Sequence, residues 1–210
     1  MATPKAADSA AGPADGVPRS GAPLILASAS PRRLDLLRQA GIEPDRVIPA
    51  EADESQRKHE LPHVYARRVA WAKLDAVAAE NPDAFVLAAD TVVALGRRIL
   101  PKAETRAEAG RCLAQLSGRR HRVLGAICLQ GPDGRRVQRL VTTRVAFKQL
   151  SAEEIEAYLE SGEWEGKAGG YAIQGAAAAF IPWINGSYPN VVGLALSETL
   201  ALLRGLGYRR

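Results

Sequence analysis

Leu24-Ile25-Leu26-Ala27-Ser28-Ala29-Ser30-Pro31-Arg32-Arg33-Leu34-Asp35-Leu36-Leu37-Arg38-Gln39-Ala40-Gly41 is the stretch that decides the fold class of this chain. Its first four residues make a short apolar run, which reads as a buried strand. Pro31 suits the first helical position, Ser30 is a good N-cap before it, and Gly41 closes the helix. Leu34, Leu36, Leu37 and Ala40 form the apolar face. A helix N-terminus offers unpaired N–H groups and a partial positive charge, the place where phosphate oxygens bind. Two serine hydroxyls and the guanidinium forks of Arg32 and Arg33 beside it make a polyphosphate grip. From this segment alone, an ordinary capped helix with solvated arginines is the competing reading.

The same alternation continues outward. Arg46-Val47-Ile48 reads as a second strand and leads to the acidic loop Glu51-Ala52-Asp53-Glu54. Pro62 opens a long helix with Tyr65, Val69, Ala72 and Ala76 spaced along one face, and with Lys73 at the margin of that face. Phe85-Val86-Leu87-Ala88-Ala89 is uninterrupted and apolar, as in a strand buried on both faces, and runs into Asp90-Thr91. Thr105-Arg106-Ala107-Glu108 and Ser151-Ala152-Glu153-Glu154 are capping boxes, the first for a helix to Leu116, the second for one ending at Gly162. Val123 to Leu129 and Val137 to Phe147 form a hairpin around Pro132-Asp133-Gly134. A glycine-rich segment follows, then a strand-like stretch, the loop Asn185-Gly186-Ser187-Tyr188, and a last helix near Ser197 to Arg204. Strands alternating with helices, plus one hairpin, predict an α/β fold with a mixed sheet.

Composition narrows the function classes. The chain has 210 residues, 47% hydrophobic and 24% charged, enough for one substantial core built as two lobes around a cleft. Apolar runs are too short for a membrane span, which needs about 18 residues or more. Residues 1–22 are rich in Ala, Pro, Gly and Ser and read as a disordered tail without a signal-peptide core, so the expected location is cytoplasmic and the expected domain is 23–210. Cys112 and Cys128 read as two separate buried thiols, and His59 and His63 are separated by Pro62, against a shared metal-binding helix face. A net charge of +5 invites a nucleic-acid reading, but the arginine pairs are scattered and aromatics are only 5%. Lysines are fewer, which makes Lys73, Lys102 and Lys167 the more informative cations.

Asp90 is the sharpest candidate for chemistry. A carboxylate after a wholly apolar strand sits where α/β proteins place ligands, and it can hold a divalent cation or accept a proton from water. Glu54 and Asp53 are candidates to complete a metal site with it, a solvated acidic loop being the alternative. Lys167 to Gly175 is neither a Walker A loop nor a GxGxxG turn, yet its glycines let backbone approach a ligand closely.

Taken together and in order, five segments closely resemble the Maf family of nucleoside triphosphate pyrophosphatases, also called septum formation inhibitors. They are Leu-Ala-Ser-Ala-Ser-Pro-Arg-Arg at 26–33, Ala-Ala-Asp-Thr-Val-Val at 88–93 and Leu-Ser-Gly-Arg at 116–119, then Lys-Ala-Gly-Gly-Tyr-Ala-Ile-Gln-Gly at 167–175 and Asn-Gly-Ser-Tyr-Pro-Asn-Val-Val-Gly-Leu at 185–194. The resemblance implies a two-lobed single domain of inosine triphosphate pyrophosphatase-like fold, with a mixed sheet and a central cleft. It implies divalent-metal-dependent hydrolysis (Mg or Mn) of a nucleoside triphosphate to the monophosphate and diphosphate, often in a homodimer. On this resemblance Ser28, Arg32 and Arg33 form the phosphate-binding turn, Glu54, Lys73 and Lys102 are charged cleft residues, and Asp90 is the proton acceptor. Arg32, Thr91 and Gln174 fall on the positions that separate the subgroups, and this combination resembles the branch acting on dTTP and UTP, modified pyrimidine nucleotides included. Ala103 and Ala195 stand where the family commonly has proline, which loosens backbone near the cleft without removing a charge.

The leading expectation is therefore a metal-dependent enzyme acting on a nucleoside triphosphate, with Ser28, Arg32, Arg33, Lys73, Lys102 and Lys167 binding substrate and Glu54 and Asp90 holding the metal. No stable nucleic-acid partner and no membrane are expected. The alternative is a nucleotide-binding regulator of cell division without turnover. A water-activating carboxylate has no use in a pure binder.

Overall fold

The computed structural model describes residues 21–209, so the expected tail at 1–22 lies almost wholly outside the described residues. In chain order the elements are β1 (Leu24–Ala27), α1 (Pro31–Gln39), β2 (Arg46–Val47), α2 (Pro62–Ala78), β3 (Phe85–Leu95), β4 (Arg98–Leu100), β5 (Lys102–Ala103) and α3 (Arg106–Leu116). The second half contributes β6 (Arg120–Gln130), β7 (Arg136–Ala146), α4 (Ala152–Glu160), β8 (Lys167–Ala168), a 3-10 turn (Ala176–Phe180), β9 (Trp183–Asn185), α5 (Tyr188–Val192) and α6 (Leu196–Gly205). The main sheet is mixed, with order β2-β1-β3-β6-β7-β9 and β4 folded back onto the end of β3. β1 is parallel to both β2 and β3, whereas β3, β6, β7 and β9 pair antiparallel. β5 and β8 form a separate two-stranded ladder.

The two-residue period of a strand sorts the core into layers. On one face Leu24, Leu26, Leu87 and Ala89 meet Leu36 and Leu37 of α1 and Leu203 of α6. On the other, Ile25, Ala27, Val86 and Ala88 meet Ala66, Ala70, Leu74 and Val77 of α2. A further cluster gathers Leu113 and Leu116 of α3, Tyr158 of α4, Trp164, Tyr171 and Phe180 around Val145 and Phe147. This cluster is the second lobe, and the cleft lies between it and the α1/α2 side of the sheet.

Local signals set most helix ends. α1 stops because Gly41 takes φ 68°, the Ile42 N–H bonds Leu37 O and the Gly41 N–H bonds Arg38 O. Both expected capping boxes are present, Thr105 with Glu108 and Ser151 with Glu154. Ser30 is the N-cap of α1 by position, but its hydroxyl makes no capping bond; Ser28 Oγ accepts from the Ser30 N–H instead.

Three expectations are corrected. The buried stripe of α2 is Ala66, Val69, Ala70, Lys73, Leu74 and Val77, while Ala76 is exposed. Alanines on several faces left the helical phase open, and the sheet chose the one that places Lys73 inside the stripe. β3 does not end at Asp90 but continues to Leu95, because β6 pairs with it as far as Ala94. The strand-like stretch before Asn185 is a 3-10 turn followed by only three strand residues.

Candidate active site

A cavity of about 330 Å³ opens between the lobes. Its walls include Ser28, Arg32, Arg33, Glu54, Lys73, Asp90, Thr91, Lys102, Lys167 and Gln174. With the exception of Asp53, the residues put forward for substrate, metal or specificity therefore lie on one surface, although their positions span the chain. The Asp53 carboxylate turns back to accept from the Ser55 N–H.

Strand alternation explains how β3 serves two subsites. Asp90 projects to the α2 face and Thr91 to the α1 face. Asp90 Oδ1 accepts from Lys73 Nζ at 2.8 Å, and both side chains are buried, Asp90 at 3% exposure and Lys73 at 7%. An aspartate inside an apolar strand is unfavourable without such a partner. Lys73 Nζ also lies 2.9 Å from Glu54 Oε1, and Lys102 Nζ donates to the other oxygen of Glu54. The loop carrying Glu54 is held by Tyr65, whose hydroxyl donates to Glu54 O at 2.7 Å. Burial favours the neutral form of Glu54, but hydrogen bonds from Lys102 and Lys73 outweigh it and hold the carboxyl below its ordinary range. Burial, then the charges of Asp90 and Glu54, push the Tyr65 phenol up to about 12.

Across the cleft the two arginines differ. Arg33 is 8% exposed and each of its three nitrogens donates once: Nε to Gly193 O at 2.9 Å, Nη1 to Ser28 Oγ at 2.9 Å and Nη2 to Thr91 Oγ1 at 3.3 Å. The solvated reading of this residue is thereby excluded. Burial lowers its pKa from the ordinary arginine value, with Asp90 opposing that effect. Arg32 is half-buried and reaches Val192 O at 3.4 Å, so most of its fork faces the cavity. Lys167 comes from the β5–β8 ladder, where Ala103 pairs with Lys167. Burial first, then Arg32, lower the Lys167 pKa. Ala103 and Ala195 are both fully buried, and their carbonyls accept from the Gly166 N–H and from Thr199.

Five cations face two carboxylates on this surface, which suits a ligand bearing several negative charges. Gln174 is exposed beside the buried Tyr171, Ala172 and Ile173, so its amide is free to meet a ligand. For a divalent cation the chain offers Glu54 and Asp90; no cluster of three or more His, Cys, Asp or Glu exists among the described residues. These two carboxylates converge on Lys73 Nζ, and a small divalent cation commonly takes one or two carboxylates plus phosphate oxygens and water. Sequence reasoning missed the carbonyls of Val192 and Gly193 and the hydroxyl of Tyr65. The run 185–194 was the available signal for the first two, but a backbone acceptor leaves no side-chain mark.

The family described as Maf-like protein matches residues 23–206 of the chain. A Rhodospirillum rubrum protein named dTTP/UTP pyrophosphatase is 62% identical over 191 residues, covering 91% of this chain and 91% of its own. One of the same name from Paramagnetospirillum magneticum is 64% identical over 185 residues, covering 88% of this chain and 97% of its own. Among solved structures, the Staphylococcus aureus Ham1 protein matches with a TM-score of 0.50 at 17% identity, over 87% of this chain and 98% of that one. That likeness concerns the fold alone. No helix of the described residues is long and apolar enough to cross a membrane.

Proposed function

The chain belongs to the Maf-like protein family, and from that premise we propose that it hydrolyses dTTP and UTP to the nucleoside monophosphate and pyrophosphate. The observation that carries this reading is the arrangement of five cations around a cleft whose floor is the Asp90–Lys73–Glu54 chain. Arg32, Lys102 and Lys167 bind the phosphates, and Arg33 adds a buried positive charge beside Ser28. Asp90 takes the proton of the attacking water. The water oxygen bonds to the α-phosphorus, the bond from that phosphorus to the bridging oxygen breaks, and pyrophosphate leaves. Lys73, on Oδ1 of Asp90, orients the carboxylate and stabilises its charge. Glu54 and Asp90 would hold a divalent cation, which when bound neutralises phosphate charge and lowers the pKa of water. Preorganised positive charge supplies much of the rate in such sites.

Gln174 reads the base. Its amide accepts from N3–H and donates to O4 of uracil or thymine, a two-point match. The opposite amide orientation matches cytosine, so rejection of CTP requires neighbours that lock it, with Thr91 and the Gly169-Gly170 backbone as candidates. The same reading includes a homodimer, and Trp183 and Ile184 of the edge strand β9, with Tyr188 at the start of α5, are among the exposed apolar side chains open to it.

The test is a triphosphate panel with a divalent cation and identification of both products, on the wild type and on Asp90→Asn. Turnover should fall by about 10²-fold or more in Asp90→Asn while the protein stays folded, since Lys73 keeps Glu54 as a partner. Near-normal turnover in that variant, or release of orthophosphate instead of pyrophosphate, would overturn the reading.

A further inference from the structure

The run Asn185 to Leu194 contributes no charged group to the cleft, yet it supplies a backbone acceptor to each arginine. Gly193 O accepts from Arg33 Nε at 2.9 Å and from Thr91 Oγ1 at 3.2 Å, while Val192 O accepts from Arg32 Nε at 3.4 Å. Both carbonyls sit at the end of α5, a helix of five residues. So short a helix gains little from its own hydrogen bonds, and its position must be set by something else.

Asn190 sets it. The side chain is wholly buried and Nδ2 donates twice, to Val123 O on β6 and to Thr143 Oγ1 on β7, both at 3.1 Å. Thr143 Oγ1 also accepts from the Ser187 N–H at 3.1 Å and donates to Ser187 O at 3.2 Å. A hydroxyl has one donor and two acceptor sites, and here all three are used. The reversed amide would turn its oxygen onto the Val123 carbonyl, so the pairing also fixes which way the carboxamide points. Its Oδ1 has no hydrogen-bond partner and lies against Gly125, where a Cβ would come within 1.9 Å. Only glycine at 125 lets Asn190 enter.

We infer that Asn190, with Thr143, is a positioning residue: it fixes α5 to the β6–β7 hairpin so that the Val192 and Gly193 carbonyls hold Arg32 and Arg33 in place. This rests on the reading of the arginines as the phosphate grip. A charge displaced by about 1 Å from its working position can cost on the order of 10²-fold in rate, so a residue that never touches substrate can govern turnover.

The experiment is a double-mutant cycle on kcat/KM for UTP with a divalent cation, with thermal unfolding recorded for each protein. Thr143→Val keeps the shape and removes the hydroxyl, and Thr143→Ser keeps the hydroxyl. Thr143→Val should lower kcat/KM about tenfold in the wild-type background and less than about fivefold in Arg33→Ala, where only Arg32 remains of the two groups it acts through. Thr143→Ser should stay within about twofold of wild type. Equal losses in both backgrounds, or no loss in a folded Thr143→Val, overturn the inference. Arg33→Ala with wild-type kcat/KM overturns the phosphate-grip reading itself. If Thr143→Val does not fold, Asn190→Ser is read by NMR. Exchange of the Arg33 Nε–H with solvent should quicken at least about tenfold, and unchanged exchange refutes the inference.

Discussion

Replacing Lys73 by Met removes the ammonium that joins Asp90 to Glu54 while keeping most of the apolar stem in the α2 stripe. The structure sets the size of the effect. Lys73 and Asp90 are nearly inaccessible and 2.8 Å apart, so deleting one partner strands a buried carboxylate, which costs about 3–5 kcal/mol. The Glu54 arm adds little, because that carboxylate is a third exposed and retains Lys102. Urea unfolding should show this loss as a lower midpoint at unchanged slope. It should also be nearly insensitive to salt, since buried pairs are poorly screened. The double variant Lys73→Met/Asp90→Asn removes both charges and should be more stable than the sum of the single losses predicts, by about 2–4 kcal/mol. A cost below about 1 kcal/mol for Lys73→Met, or strict additivity in the double variant, would mean that the pair is not the buried unit described above.

Arg32→Ala deletes a fork that faces the cavity, so kcat/KM should fall about ten- to a hundredfold with little change in melting temperature; an unaffected kcat/KM would remove it from the phosphate site. Gln174→Ala should erase most of the preference for UTP over CTP, and undiminished selectivity would move base reading to another residue. Burial lowers the His121 pKa from 6.5 to about 4, so between those values the unfolded chain binds the extra proton and stability falls as pH drops. His121→Phe should therefore lose about 2–3 kcal/mol less than wild type between about pH 7.5 and 4.5 in urea unfolding, and an identical pH slope in the two proteins would refute the assignment.

Several features of this protein are written locally. The strand–helix unit at 24–41, the two capping boxes and the hairpin turn at Pro132-Asp133-Gly134 are each signalled by neighbouring residues, and all of them form. Residue types suited to a phosphate were legible too, because Ser28, Arg32 and Arg33 sit at a helix start. Asp90 was visible as an anomaly, an acid within a run that otherwise needs apolar side chains.

Tertiary structure decided what each of these residues works with. Lys73 stood at the margin of an expected apolar face, and packing on the sheet turned it inward onto Asp90, seventeen positions away. Arg33 looked like one of many arginines until a carbonyl 160 residues later fixed its side chain. Helical phase in an alanine-rich segment, and the choice of partner for a buried charge, are set by surfaces that exist only once the sheet has formed. Propensity and spacing act along the chain, whereas desolvation acts through space, and it is desolvation that separates a working charge in this cleft from a solvated one.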